Sequence, residues 1–335
     1  MKKILLIRTD RIGDVVLTTP CIELIRKAYP TIHISFLTTP QTAEILEDNP
    51  FLDEVIVYDK KNLYKNFLRT IQFARALRKK SFDVSIALNP SNRNHWISFL
   101  AGIPKRIGYN RKSSYVLTHT LPDLKGEGKK SESFYNEDLL QFMDISPKNS
   151  RNLAFHVSKR TQESVNHFLK IKGWTKPFAV MNVSASCPSK QWPSTYFSSL
   201  CDLILEKQGL FPILIGSEKT CQEVAKNMKQ KAYILAESFS LKELGALLSE
   251  AKLHITADTG PMHLASAMKT PTLSLFGRTQ PGLGPKRWAP LQGPHTILQK
   301  DIGCNPCLAH LCKLDFDCLK ALKVEEVYRA ALPYL

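Results

Sequence analysis

No apolar run in this chain approaches the roughly 20 residues that span a bilayer, so no transmembrane helix is expected. The opening residues, Met1-Lys2-Lys3-Ile4-Leu5-Leu6-Ile7, look briefly like a signal peptide. Arg8, Asp10 and Arg11 cut that run short, which favours a first strand and a cytoplasmic chain. Acidic residues are also scarce. Asp and Glu number 30 against 46 Lys and Arg, a formal charge of +16 shared roughly evenly between the two halves. Such a surplus favours anionic partners: nucleic acid, acidic lipid or phosphorylated substrate. Zinc-finger, basic-zipper and RNA-recognition signatures are missing, so nucleic acid is not the expected partner. The basic runs Arg75–Lys80 and Lys105–Lys112 read most simply as solvated surface.

What the chain does have is length and alternation. Its 335 residues suffice for two domains, each with a core. In the first half, strand candidates Ile4–Ile7, Ile32–Leu37, Glu54–Val57 and Asp83–Leu88 alternate with helical spacing over Val15–Ala28, Gln41–Glu47 and Leu63–Lys79. Leu63, Phe67, Ile71, Ala74 and Leu77 form one apolar stripe. Residues Tyr109–Asn149 are irregular except for a helix over Ser131–Met143. A second series follows, with helices Gln162–Ile171, Ser194–Gln208, Lys219–Lys229 and Leu241–Glu250. They alternate with strands Phe178–Val183, Phe211–Ile215, Ala232–Leu235, Lys252–Ala257 and Thr272–Phe276. This pattern predicts two doubly wound parallel-sheet domains, residues 1–155 and 156–322, joined near Pro147–Lys159. Residues 323–335 are expected to form a helix returning to the first domain. A cleft between the carboxyl ends of the two sets of strands is where ligands are expected.

Four turns after strands should line it. In Arg8-Thr9-Asp10-Arg11-Ile12-Gly13-Asp14, Gly13 permits close approach and Asp14 opens a helix, whose N-terminal end favours the ionised carboxylate. Asp14 suits a general base for a hydroxyl proton, with Asp10 its competitor and helix capping the plainer role. Ser184–Pro193 sets small hydroxyl residues and Lys190 before a helix, which with its N–H groups could hold a diphosphate, a capped surface loop being the plainer reading. Gly216-Ser217-Glu218-Lys219 offers Glu218 to a ribose diol, though a helix-start glutamate is the simpler reading. In Asp258-Thr259-Gly260 the glycine lets backbone approach a ligand and the following helix presents free N–H groups. Asp258 would repel phosphate, so it is assigned to helix capping or sugar hydroxyls.

Half of the eight cysteines, Cys304, Cys307, Cys312 and Cys318, fall in one tail segment, 304–318. The spacing suits a structural tetrathiolate site for zinc, or for iron, pinning a loose tail away from any reaction. Thiols packed in a core are the alternative.

Taken in order, Arg8–Asp14 with Thr18-Thr19-Pro20, Lys190-Gln191-Trp192-Pro193, Asp258–Ala265 and Phe276–Pro281 resemble glycosyltransferase family 9, the lipopolysaccharide heptosyltransferases. The resemblance implies a GT-B fold of two Rossmann-like domains. It implies inverting transfer of a heptose from ADP-heptose to a Kdo-lipid A or core-oligosaccharide acceptor at the inner face of the inner membrane, with no catalytic metal. It puts Asp14 at the general base and Lys190 at the diphosphate, with Gly13 and Ser186 nearby. It puts Thr259 and Gly260 at the phosphate turn, Asp258 at the donor sugar, Glu218 at the ribose and Phe239 against the adenine. Arg106 and Arg111 are the candidates for acceptor contact. Ser184-Ala185-Ser186 lacks the family's usual proline-glycine start, which puts that loop's backbone contacts in doubt. A GT-B enzyme using another nucleotide sugar, an epimerase of that fold, or a non-catalytic nucleotide or RNA binder are the competing readings.

Overall fold

The computed structural model describes residues 1–335 apart from Thr175, Lys176, Glu237 and Asn305. It divides into two units, one of residues 1–126 and 130–156, the other of 127–129 and 157–335.

The first unit carries a parallel sheet of six strands: β1 Lys3–Ile7, β2 His33–Thr38, β3 Glu54–Val57, β4 Val84–Ala87, β5 Lys105–Tyr109 and β6 His119–Leu121. Their order is β3-β2-β1-β4-β5-β6. Leu5 lies level with Ser35 and Ser85, and Ser85 with Arg106. The central strands are buried on both faces because helices cover each side. The second unit repeats the topology with β7 Phe178–Asn182, β8 Phe211–Ile215, β9 Tyr233–Ile234, β10 Leu253–Ala257, β11 Thr272–Phe276 and β12 His295–Gln299, ordered β12-β11-β10-β7-β8-β9. In each sheet the winding direction reverses once, between β1 and β4 and between β7 and β10. The carboxyl ends at that switch are where such folds bind ligands.

Several sequence expectations change. The helix expected over Val15–Ala28 is two, Ile12–Val16 and Thr19–Ala28. Pro20 has no N–H for the Val16 carbonyl, and the Thr19 hydroxyl donates to it instead at 2.7 Å. The helix expected from Leu63 begins only at Phe67, capped by Asn66, and both Leu63 and Phe67 are exposed. The basic run at Lys105 is not plain surface but β5, and Asn92–Leu100 is a helix the sequence pattern did not reveal. The final helix, Val324–Ala331, belongs to the second unit. It buries Val327 and Ala331 in the core of the second unit, against the helix Ser194–Gln208.

Candidate active site

In the first unit the turn after β1 is organised by Arg8, which is almost wholly buried. Its Nε donates to Asp10 at 2.8 Å, and its Nη2 binds the Asp14 carboxylate. Its Nη1 donates to Glu132 at 2.9 Å, Asn136 at 3.0 Å and the Leu88 carbonyl at 3.2 Å. Lys125 reaches the same three acceptors, at 2.8, 3.2 and 3.1 Å. Two cations and three carboxylates thus share one buried knot. Asp14 lies in the first turn of the helix Ile12–Val16, next to buried Gly13. Its carboxyl is pushed up to about 6, chiefly by burial. Arg8 opposes the shift, and the negative charges of Asp10 and Glu132 reinforce it. A carboxylate tuned close to neutrality is well matched to taking a proton. Asp10 is the more exposed of the pair, which favours Asp14 over its competitor.

The two acceptor candidates fare differently. Arg106 is committed to structure, donating to the carbonyls of Val116 at 2.7 Å and Ile103 at 2.5 Å. Arg111, just past the carboxyl end of β5, is exposed and pairs with Asp123 at 3.2 Å.

In the second unit the structure brings Lys190, Asp258, Thr259 and Gly260 together at the switch between β7 and β10. Lys190 Nζ lies 2.9 Å from both the carboxylate and the carbonyl oxygen of Asp258. Arg278, from the loop after β11, binds the same carboxylate oxygen. Asp258 is therefore ion-paired and does not cap the helix. The cap position belongs to Thr259, whose side chain makes no cap hydrogen bond. Its hydroxyl is instead taken by Asn182 Nδ2 at 2.7 Å and Thr256 at 3.0 Å. The first N–H groups of the helix Gly260–Ala267 are thus left for a ligand. Behind them, buried His263 is pushed down to about 4, by burial first, and is neutral.

Gln191 shapes the loop before Lys190, accepting from the Ala185 N–H and donating to the Val183 carbonyl, both at 2.9 Å. Ser186 lies exposed on that loop. Gly216 sits at φ +131°, and a Cβ there would come within 2.1 Å of the Ser184 hydroxyl, which accepts from the Ser217 N–H. Glu218 is in the first turn of the next helix, exposed, and accepts from Gln222 at 2.6 Å. The Phe239 ring packs edge-on against Phe168 at 5.3 Å. Sequence reasoning gave no role to Arg8, Glu132, Lys125, Asn182, Gln191 or Arg278. Arg278 at least had a signal, a cation two residues beyond an apolar strand.

The tail cysteines, all free thiols, line one cavity of about 170 Å³ with Ser189, Arg278 and Thr279. Among the described residues, no three or more His, Cys, Asp or Glu are placed to hold a metal ion. Desolvation and the neighbouring cysteines push the Cys304 and Cys318 thiols up. At Cys307 desolvation is outweighed by N–H donors from Ala309, Thr279 and Gln280, and its thiol goes down. Nor is the tail remote from the site. His310 Nδ1 lies 3.0 Å from the Ser189 hydroxyl, and Leu319 packs against Gly277.

Residues 70–316 match the model of glycosyltransferase family 9 (heptosyltransferase). The chain is 24% identical to lipopolysaccharide heptosyltransferase 1 of Pseudomonas aeruginosa, over 92% of this chain and 87% of that one. Among solved structures, a family 9 glycosyl transferase from Veillonella parvula superposes with a TM-score of 0.90 at 23% identity, over 99% and 97% of the two chains. An Escherichia coli heptosyltransferase holding ADP-2-deoxy-2-fluoro heptose superposes at 0.73 with 18% identity, over 99% and 100%. These likenesses make the fold GT-B.

Proposed function

Since the chain belongs to glycosyltransferase family 9, the heptosyltransferases, and is a glycosyltransferase, we propose that it transfers a heptose from ADP-heptose to a lipopolysaccharide inner-core acceptor with inversion. The observation that carries the reading is the Lys190–Asp258–Arg278 arrangement beside the open start of the helix Gly260–Ala267. A diphosphate meeting that edge would draw Lys190 off Asp258 without stranding the carboxylate, because Arg278 still neutralises it.

In this mechanism the acceptor oxygen forms a bond to the anomeric carbon while its proton passes to the Asp14 carboxylate. The bond from that carbon to the β-phosphate oxygen breaks, and its electron pair leaves with ADP. Lys190 and the N–H groups at Gly260 stabilise the charge gathering on the departing diphosphate. Ser186 and Glu218 are proposed as hydroxyl and ribose contacts, Arg111 as an acceptor contact. The four tail thiols are proposed to gather a structural zinc or iron, which would require them to close on one point. The enzyme is proposed to work in the cytoplasm, at the inner face of the inner membrane. Among the described residues no helix is long and apolar enough to cross a membrane.

The test is a panel of ADP-, UDP- and GDP-sugars with truncated lipopolysaccharide acceptors, product mass and nucleotide release both being followed. ADP release that depends on acceptor, with a heptose added to it, is expected. Turnover of the nucleotide sugar without acceptor would make the protein an epimerase instead.

A further inference from the structure

Residues 60–122 contain thirteen lysines and arginines and a single acid, Asp83, while the remainder of the chain is close to charge balance. In the first unit this segment forms the helices Phe67–Arg78 and Asn92–Leu100 and the turn Ser114–Val116, with the second helix packed against both of the others. Their outer side is apolar. Half-buried Trp96 sits at its centre, with ring centroids 6.3 Å from Phe67, 5.6 Å from Phe99 and 6.2 Å from Tyr115, all edge-to-face. Leu63, Phe67, Leu68 and Tyr115 are 64, 56, 71 and 76% exposed. The fold does not require them, because the helix Phe67–Arg78 already buries Thr70, Phe73, Ala74 and Leu77 inward.

Several of the cations around this cluster have no carboxylate partner. Lys80 pairs with Glu54 and Arg111 with Asp123. Among the described residues, Lys61, Lys65, Arg69, Arg93 and Lys112 pair with no carboxylate. Arg93 donates to the Lys65 carbonyl at 3.2 Å, which fixes the two basic strips side by side. The face also runs into the catalytic turn. Lys60 Nζ donates to the Thr9 carbonyl at 2.6 Å, and the Thr9 hydroxyl to Asn94, on the Trp96 helix, at 3.0 Å.

A patch of aromatic and leucine side chains rimmed by unpaired cations is complementary to anionic headgroups over an apolar interior. We propose that this face docks the protein on an anionic lipid bilayer, the rings and leucines entering the headgroup boundary and the cations meeting lipid phosphates. The inference deepens the reading above, resting on it for a lipid-anchored acceptor. RNA fits less well, because binders of single strands offer flat ring faces to bases. Here three rings meet Trp96 edge-on, and Leu63 and Leu68 cannot stack.

The full chain is sedimented with vesicles of phosphatidylcholine alone and of phosphatidylcholine with phosphatidylglycerol. Binding to the anionic vesicles only, weakened by salt, is expected. Lys61→Gln, Lys65→Gln and Arg69→Gln together should weaken it about a hundredfold, at roughly fivefold per charge removed. Phe67→Ser with Leu68→Ser should weaken it at least tenfold, with melting temperature and ADP binding unchanged. Equal binding to neutral and anionic vesicles, variants that bind like the parent, or tighter binding to RNA than to vesicles would each overturn the proposal. Delipidated acceptor separates the two claims. The variants should use it at the parental rate, whereas a parent that cannot glycosylate it yet binds vesicles as described would leave the surface standing and remove the heptosyl reading.

Discussion

Replacing Asp14 by Asn should cost activity and add stability, and both follow from one number. Its carboxyl moves from an ordinary 3.8 to about 6 in the folded chain. At 1.36 kcal/mol per unit this is about 3 kcal/mol. The sign is set by which state holds the proton. Between about pH 4 and 6 the folded chain keeps it while the unfolded chain releases it, so stability falls as pH rises through that window. Above 6 the whole cost is present. Asp14→Asn mimics the protonated form, so a gain of about 3 kcal/mol is expected at pH 8, and roughly half of that at pH 5. The assay is urea unfolding at the two pH values, read by hydrogen exchange of β1 and β4 amides so that only the first unit is followed. The same variant should lose roughly 100- to 10,000-fold in transfer rate, the usual contribution of a positioned base. Parental kcat/KM should fall as pH drops below about 6. A variant less stable than the parent at pH 8, or one that still transfers heptose at the parental rate, would refute the reasoning.

Three other outcomes are expected. Lys190→Ala should weaken ADP-sugar binding and lower kcat roughly 100-fold or more, while Arg278 keeps Asp258 paired and the fold intact; parental kinetics would remove Lys190 from the diphosphate. His254 and His263 are both buried and pushed down to about 4. Their unfolded forms take protons first, so stability is lost as pH falls from about 6.5, by about 3 kcal/mol for each at pH 4. A double His→Gln variant that unfolds as steeply in acid as the parent would contradict this. For the tail, elemental analysis of protein purified under reducing conditions should find one zinc or iron per chain, and chelation should lower the melting temperature; metal-free protein with the same melting temperature ends that proposal.

The elements legible in the sequence were those with a short, mostly apolar run or a regular helical spacing of apolar residues. β8, β11 and the helices Ser194–Gln208 and Leu241–Glu250 fall on their expected bounds. The helix Asn92–Leu100 was hidden because its first turn is Asn-Arg-Asn-His, a loop-like string of which Asn94 and His95 are nonetheless buried. β5 was hidden by Lys105 and Arg106, whose long side chains disguise a strand. At the site, each local turn could be read singly, Lys190 shortly before one helix and Gly260 at the start of another, but not that Lys190 and Asp258, 68 positions apart, would meet. The buried knot was not legible either, since Glu132 lies 124 positions from Arg8 and no local period links them. Arg278 escaped for the same reason, its partner being 20 positions away on a different strand end.

The way the second unit is closed bears on how it is made. Trp192 donates its indole N–H to the Leu322 carbonyl at 3.0 Å, 130 positions later, and Leu319, Leu322, Val327 and Ala331 are wholly buried beside it. During synthesis the first unit has every strand of its sheet by Leu121 and is complete by residue 156, so it can form while translation proceeds. Its neighbour cannot seal its interior until Ala331 has emerged from the ribosome. A nascent chain would therefore carry a finished first unit and an unfinished second one, with apolar strands waiting for their lid and most exposed to aggregation in that interval.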